Sequence, residues 1–134
     1  MTETELNELS SQIIKAAISV HNELGPGLLE SVYNACMVIE LADLGLDVKS
    51  ELPVPIIYRG RSISGNGFRL DLLVKDAVIV ELKSIDQVQP VHKKQLLTYL
   101  RLLNKPLGLL INFNEARVKD GIHRVVNSSR EYRV

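Results

Sequence analysis

Three ionisable side chains, Asp71, Glu81 and Lys83, interrupt an otherwise apolar stretch at residues 69–85, RLDLLVKDAVIVELKSI. Charged groups are almost never fully buried unless they are paired or bound to a cation, because desolvation costs several kcal/mol per ion. Glu81 and Lys83 stand two apart, so on a strand both leave the same face. Asp71 joins them only under a condition on the hairpin. A two-residue loop at Lys75 and Asp76 pairs position 71 with 80 and turns Asp71 away, whereas a three-residue loop from Lys75 to Ala77 sets 71 against 81. The spacing therefore predicts an odd loop or a bulge. Two carboxylates and an ammonium on one wall suit Mg²⁺, or Mn²⁺, which takes one or two carboxylates, keeps several waters and accepts phosphate oxygens from a substrate. Such an ion lowers the pKa of a bound water and neutralises charge on a phosphodiester, while Lys83 orients the nucleophile or stabilises the transition state. The same residues also fit a plain ion pair between Lys83 and one carboxylate at a sheet end.

A second polar set lies downstream in PVHKKQLLTYLRLLN. Gln95 and Tyr99 are four apart and share a helix face, which His92, three before Gln95, also joins. His92 and the adjacent Lys93 are candidate substrate contacts. Upstream, GLLESVY carries Gly27, Glu30 and Tyr33. Asp71, Glu81-Leu82-Lys83 and Gln95-x-x-x-Tyr99 together resemble the PD-(D/E)XK nuclease superfamily, in particular its RecB-like members. GLLESVY resembles the signature of the small GxxExxY proteins assigned to that superfamily, and the likeness covers about residues 10 to 126. Leu70 stands where the motif's proline would be, a frequent variation.

The resemblance implies a restriction-endonuclease-like α/β core and a divalent metal held by Asp71, Glu81, the Leu82 carbonyl and Glu30. It further implies Lys83 as the group that positions or activates water, and Gln95 and Tyr99 as substrate-binding or orienting residues. Read from position alone, Glu30 sits in the first turn of a helix, where the dipole favours a carboxylate. Tyr33 reads as a packing residue whose hydroxyl is satisfied at the rim of the core.

The elements that would position these groups follow from periodicity. Residues 4–24 place Leu6, Leu9, Ile13, Ala17 and Val20 at helical spacing and stop at LGPG, where Gly25 suits a left-handed cap. A second helix spans 28–44. VKSELPVPIIYRG reads as a strand closing in a turn near Arg59 and Gly60, and RSISGNGFRL as a short strand and another turn. A hairpin then runs from about Phe68 to Val74 and Ala77 to Ser84. Pro90 opens a helix with Leu96, Leu97, Leu100 and Leu103 on its apolar face. LGLLINF is a strand covered on both sides, and a weak strand falls at 121–126. The expected architecture is one α/β domain over residues 1–134, with a mixed sheet flanked by helices.

The 134 residues and 46% hydrophobic content fit one globular core. With no signal-like start and no membrane-length apolar run, a soluble cytoplasmic protein is expected. The lone Cys36 has no disulfide partner. Net charge is zero, but residues 1–51 hold nine acidic side chains against two basic, and residues 52–134 fourteen basic against seven acidic. The basic part can face phosphates, or the acidic helices can dock on it or on a second subunit. His21, His92 and His123 lack zinc-ligand spacing. GPGLLES lacks the Lys-Ser/Thr ending of a phosphate-binding loop, HNELG is not H-E-x-x-H, and no Ser or Cys has an evident base. Three functions remain: a metal-dependent nuclease acting on DNA or RNA, a catalytically silent nucleic-acid-binding module, and a homo-oligomeric interaction protein.

Overall fold

The runs VIV at 78–80 and LGLLI at 107–111 have no polar face, so a sheet built on them must be covered on both sides. That is the arrangement in the computed structural model, which describes residues 1–63 and 68–128. Helices α1 (Glu3–Leu24) and α2 (Glu30–Asp43) come first. Strands β1 (Val48–Val54), β2 (Ile57–Tyr58), β3 (Arg61–Ser62), β4 (Phe68–Val74) and β5 (Val78–Lys83) follow. Helix α3 (Pro90–Leu103), β6 (Leu107–Asn112), a 3-10 turn at Val118–Gly121 and β7 (Ile122–Val126) complete the order. The fold is α/β, with a five-stranded mixed sheet ordered β1-β4-β5-β6-β7. Among the described strands only β5 and β6 pair in parallel, and α3 is the crossover that such a pair requires.

The two faces bury different helices. On one side Ile13, Ala17, Tyr33 and Met37 of α1 and α2 pack on Leu72, Val80, Leu82, Leu109 and Ile111. On the other, Leu96, Tyr99 and Leu100 of α3 pack on Leu70, Leu73, Ile79 and Leu110. Cys36 is a free, half-buried thiol on α2. Helix α1 begins with a capping box in which Thr2 and Glu5 bond reciprocally. No helix among the described residues is long and apolar enough to cross a membrane.

The hairpin between β4 and β5 has the odd loop that the spacing predicts. Its register runs Leu72↔Val80, Leu73↔Ile79 and Val74↔Val78, leaving Lys75, Asp76 and Ala77 outside the ladder. Lys75 and Asp76 are both left-handed, with φ of 52° and 54°. The turn closes with Ala77 N–H donating to the Val74 carbonyl at 3.0 Å.

Two boundaries differ from those expected. The strand read through 48–60 breaks after Val54, because Pro53 and Pro55 cannot both continue a ladder. Ile57 and Tyr58 instead pair with Arg61 and Ser62 in a separate two-stranded ribbon. The further turn expected within 61–70 falls on residues 64–67, outside the described residues. The second helix starts at Glu30, not Leu28. Leu28 is held in the preceding loop at both ends of its backbone, its N–H donating to Tyr33 Oη at 3.2 Å and its carbonyl accepting from Ser84 Oγ at 2.6 Å.

Candidate active site

The sheet splits where the acids stand. Strands β1 and β4 stay paired as far as Val54↔Phe68, and β5 and β6 as far as Lys83↔Asn112, but the β4–β5 ladder ends at Leu72↔Val80. Backbone donors freed in this way need partners, and the two carboxylates supply them. Asp71 N–H donates to Glu81 Oε1 at 3.1 Å, and Leu82 N–H donates to Asp71 Oδ2 at 2.7 Å. Each acid is thus tied to the opposite strand.

A second irregularity meets the first. The β1–β4 ladder skips the position where Glu51, at φ 52°, stands opposite Asp71. Regular alternation would put Leu70 and Leu72 on one face, yet Leu70 lies under α3 and Leu72 under α1 and α2. Strand β4 therefore rolls over at Asp71, which is left half-buried between the two cores.

Burial sets the electrostatics. Glu81 is 7% exposed. Its carboxyl is pushed up to about 8, first by desolvation and then by the charge of Asp71, against the opposing pull of the Asp71 N–H and of Lys83. Burial also raises Asp71, against the Leu82 N–H bond and Lys83, and Glu30 raises it further. With the Glu81 carboxyl raised this far, the pair of acids retains a proton near neutral pH. Lys83, half-buried, acts on both acids. Among the described residues the ion pair within 4 Å joins Lys105 to Asp76, so Lys83 is not locked in the plain ion pair that its sequence position also allowed.

Helix α3 brings Tyr99 to the same centre. Its phenol is pushed up to about 12 by burial and then by the charges of Glu81 and Asp71. Gln95 and Tyr99 line one groove with Ile56, Phe68, Thr98 and Leu102. Other candidates are placed elsewhere or used otherwise. His92 Nδ1 accepts from Gln89 N–H at 2.9 Å, closing the N-terminal cap of α3. Lys93 lies near enough to His123 on β7 to help lower that imidazole's pKa, behind the larger effect of burial. The charge of Glu30 acts on Asp71 and helps to raise it. Among the described residues no three His, Cys, Asp or Glu side chains are grouped so that they could hold one ion.

Supporting residues that periodicity passed over hold this arrangement. Asn34 on α2 donates to the Asp71 carbonyl at 3.5 Å and accepts from Ser50 Oγ at 2.8 Å. Fully buried Asn112 accepts from Ile85 N–H at 3.2 Å and donates to the Ile85 carbonyl at 2.9 Å, clamping the loop after β5. A lone amide closing the apolar run LGLLIN was the available signal. Tyr33, fully buried, stacks on Phe113 at 4.4 Å and donates to the Gly25 carbonyl at 2.6 Å. It therefore packs and knots the loop that leads to Glu30.

Neither the curated proteins nor the solved structures contain a match to the chain. The sequence pattern of the PD-(D/E)XK nuclease superfamily, however, matches residues 7–125, a span that takes in both core helices, the split sheet and α3. With that match over most of its length, and with the acids and the lysine on adjoining strands of a mixed sheet, the chain belongs to the PD-(D/E)XK nuclease superfamily.

Proposed function

We propose that the protein is a metal-dependent nuclease that hydrolyses phosphodiester bonds of DNA or RNA, with Asp71, Glu81 and Lys83 at its centre, and that it is one of the GxxExxY proteins within the superfamily. The observation that carries this reading is the strand split, in which buried Glu81 and half-buried Asp71, both raised, each accept a backbone N–H from the opposite strand beside Lys83, which is half-buried and in no ion pair among the described residues. Perturbed carboxylate pairs of this kind cluster at functional sites. The donor set fits a divalent cation. Each acid commits one oxygen to a backbone N–H, and a cation in place of the retained proton would offset the desolvation that raises both.

Asp71, Glu81 and the Leu82 carbonyl would hold Mg²⁺ or Mn²⁺, with Glu30 acting through its charge. When bound, the ion supplies charge neutralisation at the phosphodiester and a lowered pKa for the attacking water. The Lys83 ammonium orients that water or donates to a non-bridging phosphate oxygen. Gln95 and Tyr99, from the rim of α3, hold the substrate in line through an amide and a phenol that stays protonated at neutral pH.

The test is cleavage of labelled DNA and RNA with Mg²⁺ or Mn²⁺. Asp71→Ala and Lys83→Ala should each lower the rate by at least about 100-fold, and equal cleavage by Asp71→Ala removes the reading. A catalytically silent nucleic-acid-binding module is the second reading, favoured by the fourteen basic side chains against seven acidic in residues 52–134. It predicts metal-independent binding without cleavage.

A further inference from the structure

Against the described residues, the ribbon of β2 and β3 buries neither of its large apolar side chains. Two paired positions, Ile57↔Ser62 and Tyr58↔Arg61, join through a turn at Arg59 and Gly60 with φ of 49° and 76°. Both are left-handed, the geometry that matches the strand twist of a tight hairpin. This pins the ribbon, yet Ile57 is 59% and Tyr58 57% exposed. The Arg59 guanidinium lies 5.3 Å from the centre of the Tyr58 ring, and Tyr58, Arg59 and Arg61 line a cavity of about 240 Å³. Exposed apolar rings interleaved with arginines are the composition of a surface that stacks bases and tracks phosphates.

The surface leads to the acids. Phe68, 51% exposed, opens β4 three residues before Asp71, beside exposed Arg69. Its ring lies 6.2 Å from that of Tyr99, and the groove it shares with Ile56, Gln95 and Tyr99 joins the base of the ribbon to the residue that feels both carboxylates. A paired duplex keeps its bases stacked inside and would offer this surface phosphates, sugars and groove edges but no base faces. Unpaired bases have free faces to lay on Tyr58 and Phe68.

The geometry points to a single-strand platform: Tyr58, Arg59 and Arg61 of the ribbon, with Phe68 and Arg69 of β4, bind unpaired nucleotides and feed the strand past Gln95 and Tyr99. This deepens the nuclease reading and rests on it for what happens at the acids, but binding is separable from cleavage. Fluorescence anisotropy in EDTA, with a labelled mixed-sequence single-stranded 20-mer and its duplex, tests it on the full chain. The single strand should bind at least about tenfold tighter than the duplex. Tyr58→Ala and Phe68→Ala should each weaken it by roughly fivefold or more, while Tyr58→Phe, which keeps the ring, should bind as wild type. Arg59→Ala should flatten the salt dependence by about 0.7 in slope.

Equal or tighter duplex binding, unchanged affinity in both alanine variants, or no binding to either oligonucleotide would overturn the platform. So would a concentration-dependent dimer abolished by Phe68→Ala without oligonucleotide binding, which would assign the patch to protein contact. Single-strand binding in EDTA without cleavage in any metal would keep the platform and remove the nuclease. Duplex cleavage without single-strand preference would do the reverse.

Discussion

At the scale of residues, the charges that look misplaced in a buried strand are explained by what they bond. Asp71 and Glu81 take over hydrogen bonding where the β4–β5 ladder stops, at the cost of holding two acids together in a poorly solvated split. The folded Glu81 carboxyl titrates near 8 against 4.5 for the ordinary group, so between those values the native state holds a proton that the unfolded state releases. Unfolding free energy must then fall as pH rises through that window, and the raised Asp71 adds in the same direction. Metal-free protein should be less stable at about pH 8.5 than at about pH 5 by on the order of a few kcal/mol. Urea melts should show Glu81→Gln losing most of that slope, and a variant with the wild-type slope would contradict the assignment. Tyr33→Phe deletes the bonds to Gly25 and Leu28 and should destabilise by about 1–3 kcal/mol. The identities of the acids and the lysine were legible in sequence because charge in an apolar run is conspicuous. Asn34 and Ser50 were not, since an amide and a hydroxyl at half-exposed and exposed positions carry no signal until the fold brings them to the Asp71 backbone.

At the scale of elements, the split is maintained by what packs around it. Period and punctuation placed α1, α3, β4 and β5 within a residue or two, and the parity argument required an odd loop or a bulge, which the three-residue loop supplies. The roll of β4 at Asp71 was hidden, because Leu70 and Leu72 are both apolar and only their partners reveal that they face different helices. The ribbon was hidden as well, since alternation continues across Pro53 and Pro55 although the ladder does not. Helix α3 carries Gln95 and Tyr99 and rests on β6 at Gly108. A Cβ there would lie 2.8 Å from Leu96 Cδ1, on a side chain that is fully buried. Gly108→Ala should therefore destabilise by about 1–3 kcal/mol and shift α3 outward, so that any cleavage activity falls more than the melting point alone explains. Thermal melts and rates measured on the same preparation check this, and unchanged values for both would show that the contact is slack.

At the scale of the whole molecule, the sheet is shared by all three helices, with α1 and α2 on one face and α3 on the other. We propose that these parts form a single domain, and unfolding should accordingly be one cooperative transition. Far-ultraviolet circular dichroism and tyrosine fluorescence should give coincident urea midpoints, and an early loss of helix alone would contradict it. The opposed charges of residues 1–51 and 52–134 cancel in the total, so net charge conceals the basic region on which the nucleic-acid reading depends. Everything claimed about reactivity rests on the split sheet taking up a divalent ion. The direct measurement is calorimetric titration of Mn²⁺, which sheds its waters more readily than Mg²⁺, into wild type and the Asp71→Asn/Glu81→Gln protein at neutral pH. The account predicts one ion per chain in wild type, bound with release of the proton that the raised Glu81 retains, and no binding in the double variant. Equal heats in the two proteins, or none in wild type, would contradict it.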